Sequence, residues 1–187
     1  MFVLLILLCL SAEINTAPVK LQIFKEQKQT PNPQVAETTP AIPYTIIKDG
    51  HGAVYEWQSD TITVRLTGAQ TQELFTLTED AMKPTFKLGF HLHRKHAETF
   101  HIIEGDVEFR LGSKTYVAKA GTTIHVPSNT PHGVRVINGR QARMIMIYSP
   151  AGIENFLKEM KTFTDEQFAD EIFMKAFNDK YDNIQLE

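Results

Sequence analysis

The 187-residue chain has almost no cysteine: Cys9 stands alone, inside the apolar run Phe2–Leu10. An internal disulfide framework and a cysteine zinc site are both excluded. Neither charge dominates. Nineteen Lys and Arg face 22 Asp and Glu, a net charge of −3, which gives no reason to expect binding to nucleic acid or an anionic membrane. Long apolar runs are missing too. The nine residues Phe2–Leu10 fall well short of the ~20 that cross a bilayer. No N-x-S/T acceptor is present, since Asn15-Thr16-Ala17 and Asn129-Thr130-Pro131 both fail, and no internal repeat occurs.

The short run has one good use. It fits the apolar core of a secretory signal peptide, with cleavage between Ser11 and Ala17, although its basic n-region is reduced to the amino terminus and no A-x-A site is clean. A buried N-terminal strand is the other reading. On the first reading residues 1–17 are removed and the mature protein is secreted, without a membrane segment and without cysteine. Its core must then hold it unaided.

Residues 18–43 carry Pro18, Pro31, Pro33, Pro40 and Pro43 among polar neighbours, a composition for an extended arm or linker. From residue 44 to 150 the pattern is of short strands between turns. Tyr44–Ile47 stops at Asp49-Gly50, Thr61–Leu66 at Thr67-Gly68, and Leu74–Thr78 before Pro84. Asp106–Leu111 alternates, with Val107, Phe109 and Leu111 on one face, and turns at Gly112-Ser113 into Lys114–Lys119. Thr122–Val126, Gly133–Ile137 and Ala142–Tyr148 follow. Short strands at this spacing, with no helix among them, predict an all-β sandwich or barrel. After Pro150 the apolar period changes from 2 to 3.6. Ile153, Phe156, Leu157 and Met160 form one stripe; Thr164 with Gln167 opens a second helix carrying Phe168, Ile172, Phe173, Ala176 and Phe177. Residues 151–187 are thus expected as helices packed on the barrel.

Six of the seven histidines lie between His91 and His132. Side chains two apart on a strand share a face, so His91 and His93 present their imidazoles together. Arg94–Ala97 suit a loop, and Glu98 can begin the returning strand on the same inner face. His132, after the rigid Pro127–Pro131 turn, is the candidate for a fourth ligand. Three imidazoles and a carboxylate suit a divalent first-row ion with positions left for substrate or oxygen. His96 falls in the loop, His101 on the opposite parity from Glu98 and His125 inside a strand; these read as surface residues or as groups that orient a ligand. His51, beside Gly50 and Gly52, reads as a turn residue.

These residues resemble the two motifs of the cupin superfamily. G-x5-H-x-H-x4-E-x6-G is matched at His91, His93, Glu98 and Gly105, and G-x5-P-x-G-x2-H-x3-N at Gly121, Pro127 and His132. Thr85, Asn129 and Val136 replace the family's other two glycines and its closing asparagine. None of the three is a ligand position, so loop shape is affected rather than metal binding. The resemblance covers residues 44–150. It implies a jelly-roll, or double-stranded β-helix, barrel with a C-terminal helical extension, and metal ligands at His91, His93, Glu98 and His132.

The short spacing between motifs and the segment Tyr148–Phe156 are similar to quercetin-dioxygenase-like cupins. That likeness implies a dioxygenase acting on a small hydroxylated substrate, aromatic compounds included, with Glu98 as both ligand and general base. The metal would be iron, manganese, nickel, copper, cobalt or zinc. Phe86, Phe90, Phe100, Phe109, Met144 and Met146 are candidates for an apolar pocket wall. A non-catalytic secreted metal or ligand binder is one alternative, although germin-like members of that branch carry a cysteine pair missing here. A small-dicarboxylate decarboxylase or oxidase is another; it would need a cation near the metal, for which Arg135 and Arg143 are candidates. The arm and C-terminal helices suit a homodimer. The secretion reading predicts that the exported protein begins between Ala12 and Pro18, which N-terminal sequencing reads directly; a retained Met1 would refute it.

Overall fold

Side-chain alternation, rather than overall hydrophobicity, decides how this chain folds. In the computed structural model, which describes residues 44–187, the strands are β1 (Ala53–Glu56), β2 (Asp60–Leu66), β3 (Thr76–Met82), β4 (Lys87–Leu92), β5 (Ala97–Glu104), β6 (Asp106–Leu111), β7 (Lys114–Lys119), β8 (Thr123–Val126), β9 (His132–Val136), β10 (Ala142–Ser149) and β11 (Ile184–Gln185). The expected signal peptide and proline-rich arm lie outside the described residues. On β10, Ala142, Met144, Met146 and Tyr148 are buried while the residues between them are less so. β6 buries Val107 and Phe109 in the same way.

The strands form two antiparallel sheets, β1-β2-β3-β10-β5-β8 and β11-β4-β9-β6-β7. The chain passes repeatedly between them: β5 lies in the first, β6 in the second, β8 in the first, β9 in the second, β10 in the first. This is the jelly roll, and its two inner faces meet over Phe100, Ile102, Val107, Phe109, Val134 and Met144. Gly105, between β5 and β6, has φ +82°, and a Cβ there would lie 2.5 Å from the Gln141 carbonyl oxygen. Only glycine fits so close an approach.

Three helices follow the last long strand: α2 (Ile153–Met160), α3 (Asp165–Ala169) and α4 (Glu171–Lys180). Phe156, Leu157 and Phe177 pack with Tyr55 and Val64 of β1 and β2 into a second cluster, so the helices cover the barrel as the apolar stripes predict. Glu154 ties α2 down, accepting from Gly68 N at 2.7 Å, Gly152 N at 3.1 Å and the Thr76 hydroxyl. The single helix expected from Thr164 to Phe177 is broken. Its capping box at Thr164 and Gln167 forms, but Asp170 accepts from Ile172 N and Phe173 N and starts a new helix; a short acidic side chain competes in this way for free backbone donors.

Three more details depart from the strand reading. A one-turn helix, α1 (Gly68–Thr71), interrupts the strand series, and Tyr44–Ile47 forms no strand. The strand expected at Leu74–Thr78 starts at Thr76 and runs on to Met82. Its inner face is Thr76, Thr78, Asp80 and Met82, mostly polar, which hides the alternation from a hydrophobic pattern. Phe109 is fully buried at the centre of the main cluster. Phe109→Ala should lower unfolding stability by about 3–5 kcal/mol, read as a shift in denaturant midpoint at constant slope.

Candidate metal centre

The site is made where the two sheets face each other. β4 and β9 are neighbours in the five-stranded sheet, and their register sets His91 directly opposite His132. His93 follows the end of β4, and Glu98 comes from β5 in the other sheet. The four side chains are 1–6% exposed, and one ligating atom from each lies within 4.8 Å of the others. The imidazole centroids of His91 and His132 are 4.3 Å apart, those of His91 and His93 4.9 Å.

The backbone sets the tautomers. Each Nδ1 faces a carbonyl oxygen: His91 that of Gly89 at 2.8 Å, His93 that of Asp182 at 2.8 Å, His132 that of Thr130 at 3.0 Å. A carbonyl only accepts, so each Nδ1 donates and each neutral ring turns an unprotonated Nε2 towards the others. His132 Nε2 stands 2.6 Å from Glu98 Oε2 and His93 Nε2 3.4 Å from Oε1. Even so, His93 Nε2, His132 Nε2 and Glu98 Oε2 are buried without an aligned hydrogen bond. Lone pairs directed at one another in a buried space repel unless a positive charge stands between them. The donor set fits a divalent first-row cation, three nitrogens and one carboxylate with a backbone partner behind each nitrogen.

At His91 and Glu98 the titration behaviour agrees with that chemistry, whereas at His93 the Glu98 carboxylate favours a proton in the place a cation would take. Burial, with His132 beside it, pulls His91 down to about 4, so this ring is neutral and ready to ligate at physiological pH. For His93 burial acts downward, but the Glu98 carboxylate and the Asp182 carbonyl outweigh it and raise the ring above its usual range. Glu98 is pushed up by burial and pulled further down by His132 and His93, so it stays ionised.

Asp182 is the contributor that sequence reasoning missed. Its carbonyl holds His93, while its carboxylate accepts from Lys95 N at 2.6 Å and His96 Nδ1 at 3.3 Å. β11 then pairs Ile184 with Leu92 and Gln185 with His91. The last residues of the chain thus brace the first motif from 89 positions away. An aspartate in a polar C-terminal turn carries no sequence signal for this.

The other histidines divide cleanly. His96 shares Asp182 with His93, as a group behind a ligand. His101 and His125 are exposed and bond Thr123 and Thr99, and His51 closes a turn on the Asp49 carbonyl. Asn129, in place of a motif glycine, takes φ +62° and donates its backbone N–H to the His93 carbonyl at 2.6 Å.

A cavity of about 370 Å³ opens beside His91, His93 and Glu98, lined among others by Phe86, Met144, Met146 and Tyr148 and roofed by Ile153 and Phe156 of α2. The remaining wall candidates lie elsewhere. Phe100 and Phe109 fill the core, and Phe90 sits beneath the Arg110 guanidinium, 3.8 Å from its ring centre, beside a different pocket. Arg135 and Arg143 are both exposed and pair outward with Glu108 and Glu79, so neither supplies a cation to the cavity.

Residues 79–148 match the family model described as a cupin domain. A stretch of 70 residues, 37% of this chain, is 29% identical to quercetin 2,3-dioxygenase of Bacillus subtilis and spans only 20% of that enzyme. Among solved structures, ectoine synthase from P. lautus aligns with a TM-score of 0.53 at 18% identity, over 65% of this chain and 94% of that one. An RmlC-like cupin from Shewanella frigidimarina aligns at 0.50 and 15% identity, over 60% and 94%. The structural likenesses carry the fold alone. Motif, family match and jelly roll agree: residues 79–148 form a cupin domain.

Proposed function

We propose that the protein is a metal-dependent dioxygenase of the quercetinase-like kind, acting on a small hydroxylated, aromatic-sized compound, with His91, His93, Glu98 and His132 as the ligands. One observation carries the reading: three imidazoles and one carboxylate converge on one point, and His91, His93 and Glu98 of that set line a cavity of about 370 Å³, a volume suited to a small ligand. The similarity of the barrel segment to a quercetin 2,3-dioxygenase supports the reaction class.

A bound first-row ion supplies Lewis acidity and, where redox-active, an electron path between substrate and dioxygen. The protein's own residues do the rest. His91 and His132, braced by carbonyls, hold their nitrogens in place. Glu98 is ionised and is the carboxylate placed to take the proton of a substrate hydroxyl; its lowered pKa makes it a weak base, so the hydroxyl would have to be acidified by the bound ion. Tyr148, level with Glu98, and Met146, one row away, line the cavity beside the reacting end, with Met144 and Phe86 further along its wall. The dicarboxylate reading loses support because both arginines that could have served it point outward. Secretion after removal of residues 1–17 remains part of the proposal.

Two experiments test it. His132→Ala should lower affinity for a divalent ion by more than about a hundredfold with an unchanged far-ultraviolet spectrum; full metal content in that variant would remove His132 from the ligand set. Protein loaded in turn with iron, manganese, nickel, copper or cobalt should consume oxygen with a flavonol or a catechol. Metal retained without oxygen uptake on either class would leave a binding protein in place of an enzyme.

A further inference from the structure

The same cavity contains two carboxylates that the metal centre does not use. Asp80 on β3 faces Met144 of β10, and Asp60 on β2 faces Met82 of β3. Asp80 is opposite Ile62, so the two acids stand diagonally across the β2–β3 pair, about 7–8 Å apart. They lie away from the ligands. Along β10, Tyr148 is level with Glu98, Met146 with Thr78, and Met144 with Asp80, which sets Asp80 two side-chain rows from Glu98, about 13 Å along the strands.

Both occupy positions where this sheet elsewhere buries apolar side chains. Asp80 is 2% exposed and Asp60 8%. Asp80 accepts the Thr78 hydroxyl at 2.8 Å, and Asp60 has only a long contact of 3.4 Å from Ser59. Among the described residues neither forms a salt bridge, and Lys87, exposed on the surface, is the only Lys or Arg lining the cavity. Nearby, the buried Tyr148 hydroxyl has the Met146 sulfur at 3.4 Å as its hydrogen-bond partner. Burial pushes both carboxyls above their usual range, Asp80 to about 7, with Asp60, Glu98 and Glu79 adding to that rise.

Lys83 acts on Asp60 from outside the cavity lining without forming a salt bridge, and two buried acids left without an ion-pair partner cost stability. A ligand hydroxyl would satisfy an acceptor and leave the charge. An ammonium offers three donors and cancels it, and the aromatic side chains of Trp57, Phe86 and Phe156 line the same space. We infer that the cavity selects a ligand with a protonated amine at the end remote from the metal, received by Asp80 and Asp60. This rests on the small-molecule reading of the metal centre and narrows its substrate class: compounds with an anionic tail are rejected by the same wall.

Trp57 is the chain's one tryptophan and lines the cavity, so its fluorescence reports occupancy. Zinc-loaded protein, which binds without turnover, would be titrated with three catechols of equal length ending in ethylamine, ethanol or acetate. The amine should bind about tenfold tighter than the alcohol, as a charge-assisted hydrogen bond implies, and the acetate weakest. Asp80→Asn should reduce the amine preference to less than about threefold with zinc content unchanged; Asp60→Asn should reduce it in the same direction and serves if the first variant folds poorly. Equal binding of amine and alcohol, tighter binding of the acetate, no response to the amine at millimolar concentration, or a preference that survives both substitutions overturns the inference. Oxygen uptake separates the two readings. An amine preference without oxygen uptake removes the dioxygenase and leaves the amine receptor, whereas oxygen uptake without the preference does the reverse.

Discussion

Glu98 is a charged carboxylate, 2% exposed, in the middle of a barrel, and the rest of the structure follows from how that charge is met. Its nearest groups are two imidazole nitrogens whose protons sit on the far side of their rings, committed to backbone carbonyls. Among the described residues no well-aligned hydrogen bond neutralises the arrangement. A cation of small radius and high charge would do so. The jelly roll suits this because it brings side chains from two facing sheets to one point, with His91, Glu98 and His132 each held by strand register rather than by a loop.

Rigidity around the centre comes from unequal sources. His91 and His132 are opposed across a ladder, and each bonds a carbonyl two residues away, so local backbone alone orients them. His93 stands past the end of its strand and depends on Asp182, with β11 closing beside it. The C-terminal extension therefore has two tasks: α2 roofs the cavity and the final turn braces a ligand. Both are anchored from the barrel, through Glu154 to Gly68 and Thr76 at one end and through the β11 ladder at the other.

The legible part of the site was the part encoded by short spacing. His91, His93 and Glu98 follow from strand parity and one loop, and the outward turn of Phe90 was available from that same parity, since a residue next to an inward His91 must face away. The break at Asp170 was open to a capping argument as well. Asp80 and Asp60 were not legible. A polar residue on an inner face looks like an outward one until the neighbouring strands are placed, and here four successive inner positions of β3 include three polar residues. Asp182 left no trace at all, because its partner is a backbone-defined neighbour far along the chain.

The sequence by itself determined the alternation of the strands, the chain-reversing turns, the helical stripes after Pro150 and the identities of four candidate ligands. These are local properties, set by which side chains share a face and which backbone angles a residue tolerates. Tertiary structure decided that Glu98 meets His132 across two sheets, that the helices roof a cavity and that two aspartates share it with the ligands. It also turned Arg135 and Arg143 away. Those outcomes depend on register between strands distant in the chain, where a shift of one residue reverses every side chain, and no local pattern carries that information.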